Sequence, residues 1–285
     1  MNNVIVSVES TADLSEKVLK MSGISIINME YSVDGEAHVM GDGAFTLSEF
    51  YDKMRGGSVT KTSQINEYEA KEYLKSILER GCDVIHLAFS GSLSGTYDNF
   101  VVAANELKTE YPDRKIAVVD SLCACAGQGL FAVSVADYLK THGFDETVDY
   151  AEKLKRQIVH LFVVDDLKYL ARGGRISKTT AILGNTFHLK PAMHMDKNGK
   201  LVPFKKVLSR KRSIDLIGNL TAQRFDGSIQ KIFIAHADCY NDAKYLSSIV
   251  EKGTGVTPTI FDLGMVIGSH SGQVTLSIFF KGTSI

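Results

Sequence analysis

The chain has 285 residues, with 32 Lys and Arg against 33 Asp and Glu, and a formal net charge of −1. This length is enough to bury a substantial core in one large or two smaller domains. The balanced charge produces no global field, which argues against nucleic acid or an anionic membrane surface as a partner.

The first half of the chain alternates short apolar runs with segments of helical periodicity. Strands are predicted at residues 4–8, 24–28, 84–88 and 116–119, and helices at residues 15–21, 46–54, 67–80, 97–110 and 127–140. Strands that alternate with helices of this length predict an α/β fold with a mostly parallel sheet covered by helices.

The second half has a different pattern of elements. Helices are predicted at residues 147–157, 211–223 and 241–251, and strands at residues 160–164, 232–235, 259–261 and 274–280. Residues 193–207 are typical of a hairpin, because Asn198-Gly199 is a preferred two-residue turn. We therefore expect two α/β domains, residues 1–157 with a mostly parallel sheet and residues 158–285 with a mixed sheet, and a cleft between them.

Several classes of site and segment find no support in the sequence. Cys123 and Cys125 have no second Cys or His pair beside them, which favours buried thiols over a metal site. The chain starts with a strand-like run and contains no long apolar segment, so we expect neither a signal peptide nor stable membrane insertion. A cytoplasmic protein without a cofactor is the resulting expectation.

The turn at residues 90–96 is the strongest candidate site. It holds three serines, two glycines and a threonine, directly after a predicted buried strand and before a predicted helix. Such a turn presents hydroxyls and backbone N–H groups to an anion. It lacks the phosphate-loop pattern and its lysine, which favours a small anion such as a carboxylate held by neutral donors. The hydroxyl-rich loops at residues 9–13 and 61–64 are predicted at the same edge of the sheet.

Other candidate residues have competing interpretations. Thr62 precedes a predicted helix and is also typical of a helix cap. His270 lies between small residues at a predicted turn, where an adjacent carboxylate would make it a cationic donor. Arg172 and Arg175, like the cluster at residues 210–212, form either solvated loops or a docking surface for an acidic or phosphate-bearing partner.

No catalytic constellation is recognisable in the sequence. The nucleophile-elbow pattern is missing, and the adjacent carboxylates Asp165 and Asp166 are expected to point to opposite faces of a strand end. A serine-dependent acyl hydrolase that uses Ser94 stays an alternative, with His270 as its candidate base. A sugar- or amino-acid-binding domain, with a smaller and wetter cleft, is a third possibility.

Five motifs in order resemble those of the DegV family of fatty-acid-binding proteins, which serve as the lipid-binding subunit of the bacterial fatty-acid kinase system. They lie at residues 10–14, 61–64, 92–96, 170–176 and 268–270, and the resemblance runs nearly end to end. This chain departs from the family pattern in having Glu9 for an Asp, Ile65 for a Pro and Ser271-Gly272-Gln273 for Gly-Pro-Gly.

The resemblance implies two α/β domains with a long-chain fatty acid, such as hexadecanoate, in a tunnel between them. It implies a carrier rather than an enzyme, one that presents the fatty-acid carboxylate to a separate fatty-acid kinase for acyl-phosphate formation. The residues matched to carboxylate binding are Thr62, Ser94, Gly95, His270 and Arg210, and those matched to the kinase-docking loop are Arg172 and Arg175.

The energetics of a fatty acid are compatible with such a site. Each buried methylene contributes about 0.8 kcal/mol, so a sixteen-carbon chain gains on the order of 10 kcal/mol before ordering costs. The buried carboxylate then requires hydrogen-bond donors, because an unpaired buried charge is prohibitive.

Overall fold

The computed structural model describes residues 3–177 and 189–283, and these form three β-sheets with helices between and around them. The strands are β1 (Asn3–Glu9), β2 (Ile24–Ile27), β3 (Glu30–Val33), β4 (Glu36–Val39), β5 (Thr60–Thr62), β6 (Cys82–Ala88), β7 (Ile116–Asp120), β8 (Ile158–Val163), β9 (Leu189–Met195), β10 (Leu201–Leu208), β11 (Ile232–His236), β12 (Thr259–Asp262) and β13 (Leu276–Lys281). The helices are α1 (Glu16–Ser22), α2 (Leu47–Arg55), α3 (Glu67–Leu78), α4 (Thr96–Glu110), α5 (Ala126–Leu139), α6 (Phe144–Leu154), α7 (Lys168–Arg172), α8 (Arg210–Arg224), α9 (Tyr240–Thr254) and α10 (Met265–Ser271), with a 3-10 turn at Ser10–Ala12.

The first sheet has four parallel strands in the order β2-β1-β6-β7. Every residue of β6 is buried, as expected for a central strand that helices cover on both faces. The predicted parallel sheet of the first half is thereby confirmed.

The second sheet has six strands in the order β10-β9-β8-β13-β11-β12. Only the pair formed by β11 and β12 is parallel, so this sheet is mixed, as predicted. All of its strands lie after residue 157, whereas all strands of the parallel sheet lie before it. The division of the chain into domains 1–157 and 158–285 stays a prediction.

The hairpin of β9 and β10 differs from the predicted two-residue turn. Residues 196–200 connect the strands, and of the two predicted turn residues only Gly199 has a positive φ, at 75°. A type I′ turn requires a positive φ at both central residues. Here the Asp196 carboxylate accepts hydrogen bonds from the N–H groups of Asn198 and Lys200, both at 2.9 Å, which stabilises the wider turn.

The third sheet is small and was not predicted. It is antiparallel, in the order β4-β3-β5, and its strands are only three or four residues long. These strands lack an apolar run that sequence periodicity detects, and they form because α10 packs against β3 and β5. As a result, Thr62 lies at the end of a strand and not in a loop of the parallel sheet.

Helix α5 lies between the two larger sheets. All residues from Ala126 to Ala136 are buried, and the helix packs against β1 on one side and β8, β11 and β13 on the other. Close approach needs small residues: a Cβ at Gly127 would lie 2.3 Å from His160 Nε2, and one at Gly129 would lie 2.6 Å from the Ala12 carbonyl oxygen. Glycine at these two positions therefore permits both sheets to contact one helix.

Within the described ranges, no helix combines the length and apolar character that crossing a bilayer requires. The same residues contain no cluster of three or more His, Cys, Asp or Glu side chains with the geometry of a metal site.

Candidate functional site

A cavity lies between the two halves of the chain. The space that protein atoms leave free there is about 840 Å³, including the part open to solvent. Its apolar lining consists of Met29, Phe89, Leu93, Phe162, Leu170, Met195, Leu201, Leu263, Val266, Ile267 and Phe279. Both halves contribute to this lining, so the expected cleft is present and largely apolar.

A group of polar side chains also lines the cavity: Thr62, Gln64, Ser94, Arg175 and His270. Thr62 Oγ1 lies 2.7 Å from His270 Nε2, and Arg175 Nε donates to the Leu93 carbonyl at 3.1 Å. These contacts join β5, the turn before α4, the loop after α7 and α10. Four separate segments of the chain therefore meet at one polar cluster.

Ser94 lies at the N-terminus of α4. Its hydroxyl donates to Thr96 Oγ1 at 3.0 Å and accepts from the Thr96 N–H at 3.2 Å. Thr96 Oγ1 in turn accepts a hydrogen bond from the Ile65 N–H at 3.3 Å. The loop after Thr62 and the turn before α4 are thus held side by side.

Gly95 separates the Ser94 hydroxyl from the first residue of α4. A Cβ at this position would lie 2.5 Å from Gln64 Oε1, so only glycine permits the Gln64 amide to lie this close. N–H groups at a helix N-terminus have no intrahelical acceptor, which makes this position suitable for an anion.

His270 lies on α10, not in the turn that the sequence predicts. Its Nδ1 atom is buried and has no hydrogen-bond partner among the described residues. Burial, together with the positive charges of Arg175 and Arg172, lowers the pKa of His270 to about 4. The charged groups that act on His270 are arginines and not a carboxylate, so the imidazole is neutral at pH 7 in the ligand-free protein.

Gly173 explains how His270 is enclosed. A Cβ at Gly173 would lie 2.3 Å from His270 Nδ1, so the loop after α7 covers the imidazole with backbone. This close approach gives Gly173 a packing role beside the site, whereas Gly174 has a positive φ of 75° that favours glycine.

Arg175 lines the cavity wall, whereas the sequence assigned it to a surface for docking. Burial lowers the pKa of its guanidinium, which nevertheless stays charged because arginine deprotonates only at very high pH. The site therefore contains a fixed positive charge in addition to the neutral donors that were expected. Arg172 is exposed, with its guanidinium 5.4 Å from the centre of the Tyr169 ring.

Arg210 does not line the cavity. Its Nε donates to Asp242 Oδ2 at 2.8 Å, which links the start of α8 to α9. The family resemblance predicted that Arg210 contacts a ligand head group. In the structure Arg210 pairs with Asp242 instead.

Further polar residues line the cavity without a role predicted from the sequence, among them Gln64 and His160. Gln64 was visible as part of the 61–64 motif, but no pattern assigned a role to its amide. His160 Nε2 accepts from the Ala124 N–H and its Nδ1 donates to the Ile158 carbonyl, each at 3.1 Å. Burial lowers the pKa of His160 to about 4, so it contributes a neutral ring to the wall.

The serine hydrolase arrangement is not assembled in the part of the chain that the structure describes. Ser94 pairs with Thr96, while His270 Nε2 pairs with Thr62. An activated serine requires a base in hydrogen-bond reach and a third group that orients the base. Here no described group contacts His270 Nδ1 as a hydrogen-bond partner.

Comparison with known proteins identifies the family. The sequence profile of a family described as uncharacterised, DegV, matches residues 3–282. The chain belongs to the DegV family. A DegV domain-containing protein from Clostridium perfringens is 35% identical over 286 residues, which cover 99% of this chain and 98% of that protein.

Solved structures of the DegV family share this fold. A hypothetical protein from Thermotoga maritima, described as revealing a fatty acid binding function, superposes with a TM-score of 0.84 and 28% identity, over 99% of this chain and 100% of its own. DegV from Bacillus subtilis, described as a fatty acid binding protein, superposes with a TM-score of 0.83 and 27% identity, over 99% of this chain and 100% of its own. The α/β architecture, with a parallel four-stranded sheet and a mixed six-stranded sheet, is therefore the DegV fold.

The neutral state of His270 predicts how the stability of this DegV protein depends on pH. In the unfolded chain His270 binds a proton near pH 6.5, but in the folded protein only near pH 4. The contribution of His270 to the free energy of unfolding is therefore largest above pH 6.5 and falls as the pH is lowered towards 4. His270→Gln removes this contribution. On acidification across that interval, the free energy of unfolding of the variant should therefore fall by roughly 3 kcal/mol less than that of the native protein.

Urea unfolding of the ligand-free proteins at pH 7 and pH 4.5 measures this difference. His160 is present in both proteins, so its similar contribution cancels in the comparison. Equal losses of stability in the two proteins would show that His270 is protonated in the folded state well above pH 4.

Proposed function

We propose that this DegV protein is a carrier that binds a long-chain fatty acid in the cavity and presents its carboxylate to a separate fatty-acid kinase. The observation that carries the proposal is a cavity with mainly apolar walls and a polar cluster containing one charged group, Arg175. In a fatty acid, the acyl chain matches the apolar walls and the single carboxylate matches the polar cluster. The DegV proteins from Thermotoga maritima and Bacillus subtilis, which are described as binding fatty acids, add support.

The proposed donors to the carboxylate are the Thr62 hydroxyl, the Gly95 N–H and the Ser94 hydroxyl, whose proton turns from Thr96 Oγ1 towards the ligand when it binds. For Thr62 to donate to the carboxylate, His270 Nε2–H donates to Thr62 Oγ1 across their 2.7 Å contact, and Nδ1 is the unprotonated nitrogen. The Arg175 guanidinium offsets the charge of the ligand, which stabilises a carboxylate that has lost its hydration.

The apolar walls supply the larger part of the binding free energy. A sixteen-carbon chain that loses contact with water gains on the order of 10 kcal/mol before ordering costs, far more than a few hydrogen bonds contribute. The head group then decides orientation and prevents burial of an unpaired charge. Hexadecanoate is accordingly a suitable first ligand to test.

Presentation to a kinase is supported by the position of the loop after α7. Gly173 covers His270, and Arg172 next to it is exposed. A protein that reaches the carboxylate from this side meets Arg172, whose charge suits an acidic or phosphate-bearing surface. Formation of an acyl phosphate requires a nucleotide supplied with the kinase, and we therefore propose a cytoplasmic carrier.

Native mass spectrometry of the purified protein, followed by release and identification of the bound species, tests the carrier function. We expect one long-chain fatty acid per chain. A protein that is purified empty and does not take up added hexadecanoate would contradict the proposal.

Removal of a single hydroxyl donor weakens binding without affecting the fold. Ser94→Ala and Thr62→Val each lose a partner of the carboxylate, and we expect a cost of about 1–3 kcal/mol, roughly 5- to 150-fold in Kd. Calorimetric titration of the lipid-free proteins with hexadecanoate measures the change.

Ser76→Ala, at an exposed position of α3, is the matched control and should bind as the native protein does. Native affinity in both Ser94→Ala and Thr62→Val would place the carboxylate elsewhere in the cavity.

Replacement of the exposed Arg172 should impair docking of the kinase without impairing lipid binding. Arg172→Gln should leave the Kd for hexadecanoate within about twofold of the native value, because this side chain lies outside the cavity lining. It should lower the rate at which a purified fatty-acid kinase phosphorylates the bound lipid. Arg80→Gln, at an exposed position after α3, serves as the charge-matched control. Equal phosphorylation rates for Arg172→Gln and the native protein would remove this loop from the docking surface.

A further inference from the structure

Two serines of the turn before α4 have no part in the proposed carboxylate site. Ser90 Oγ donates to the Gly199 carbonyl at 2.9 Å, and Ser92 Oγ donates to the Asn198 carbonyl at 2.6 Å. Both acceptors lie in the turn that connects β9 and β10. The serine-rich turn of the first half is therefore bound to the tip of a hairpin in the second half.

The contact between these two turns is tight. Gly199 is buried although it lies at the tip of a hairpin, and a Cβ there would lie 2.2 Å from Ser90 Oγ and 3.3 Å from Leu122 Cα. The Ser90 N–H donates to the Cys123 carbonyl at 3.0 Å, which fixes the backbone that carries this hydroxyl. The Asn198-Gly199 turn thus docks at a preformed position.

The docked hairpin forms part of the cavity wall. Met195 and Leu201 are paired across β9 and β10 immediately before and after the connecting turn, and both line the cavity. Met195 packs with Phe89 and Leu93, which flank the two serines in sequence and also line the cavity. Movement of the hairpin tip away from Ser90 and Ser92 would therefore open this apolar wall.

The edge position of β10 makes such movement less costly. Among residues 3–177 and 189–283, β10 pairs with β9 alone, since it is the first strand of the six-stranded sheet. Its register is also interrupted by a bulge between Pro203 and Lys205. Edge strands and bulged segments open more readily than central strands of a sheet.

We propose that Ser90 and Ser92 latch the β9–β10 hairpin over the cavity and thereby control the rates at which ligand enters and leaves. They are positioning residues: they touch the hairpin, and the hairpin touches the ligand. That the ligand is a fatty acid rests on the proposed function, whereas the latch itself rests on the two hydrogen bonds and the packing of the tip.

The latch has a kinetic signature that distinguishes it from a carboxylate contact. Weakening a latch raises the association and dissociation rate constants together and leaves Kd nearly unchanged, because the closed complex keeps its ligand contacts. Loss of a carboxylate donor, as in Ser94→Ala, raises the dissociation rate constant alone.

Stopped-flow fluorescence with cis-parinaric acid, a fluorescent fatty acid, measures both rate constants. For Ser90→Ala and Ser92→Ala we expect each rate constant to rise about three- to tenfold with less than a twofold change in Kd, as expected for one lost hydrogen bond. Ser92 is exposed, so its variant folds even if the buried Ser90 position tolerates substitution poorly. Ser92→Thr retains the hydroxyl and should restore the native rates.

Amide hydrogen exchange of the lipid-free proteins reports on the latch without a ligand. The Gly199 N–H, which donates to the Asp196 carbonyl at 3.0 Å, and its neighbours in residues 189–208 should exchange faster in both alanine variants than in the native protein or Ser94→Ala. Unchanged exchange would overturn the latch. Faster exchange with unchanged rate constants would overturn its control of ligand entry.

The two proposals fail in different ways. If the native protein does not bind cis-parinaric acid or hexadecanoate, the fatty-acid function is wrong, and the exchange measurement still decides whether Ser90 and Ser92 hold the hairpin. If binding is native in Ser90→Ala and Ser92→Ala but the rate constants and exchange are also native, the latch alone is wrong.

Discussion

The burial of α5 from Ala126 to Ala136 between the parallel and the mixed sheet is the constraint on which the rest of the structure depends. A helix segment that is buried on all sides is stable only when other elements surround it, and here two sheets do so. Gly127 and Gly129 bring those sheets close, which fixes the 3-10 turn after β1 on one side and His160 of β8 on the other. The cavity lies where the two halves meet beside this helix.

A buried network of hydrogen bonds connects the parallel sheet to the turn before α4. The Glu9 carboxylate, at the end of β1, accepts hydrogen bonds from the Phe89 N–H and from Gln128 Nε2 of α5. Gln128 Oε1 accepts a further hydrogen bond from Thr11 Oγ1 at 2.8 Å. Because an unpaired buried carboxylate is costly, this network fixes the start of the turn that carries both the proposed latch and Ser94.

The division of roles within that turn follows from where each hydroxyl points. Ser94 lines the cavity beside Arg175, whereas Ser90 and Ser92 bond the hairpin tip of the other half. The same short segment thus provides a proposed head-group donor and a proposed latch. Three serines there exceed what a helix cap requires, and the excess is explained by a contact between segments about a hundred residues apart in sequence.

Local patterns in the sequence determined the strands of the parallel sheet, the helices that alternate with them and the hydroxyl-rich loops, because side-chain periodicity and turn chemistry act over a few residues. The resemblance to the DegV family carried the remaining expectations for Thr62, Ser94 and His270. Only the tertiary structure decided that Thr62 lies on a strand, that Arg175 enters the cavity while Arg210 pairs with Asp242, and that His270 is neutral. Each of these depends on burial and on partners distant in sequence, which no local pattern contains.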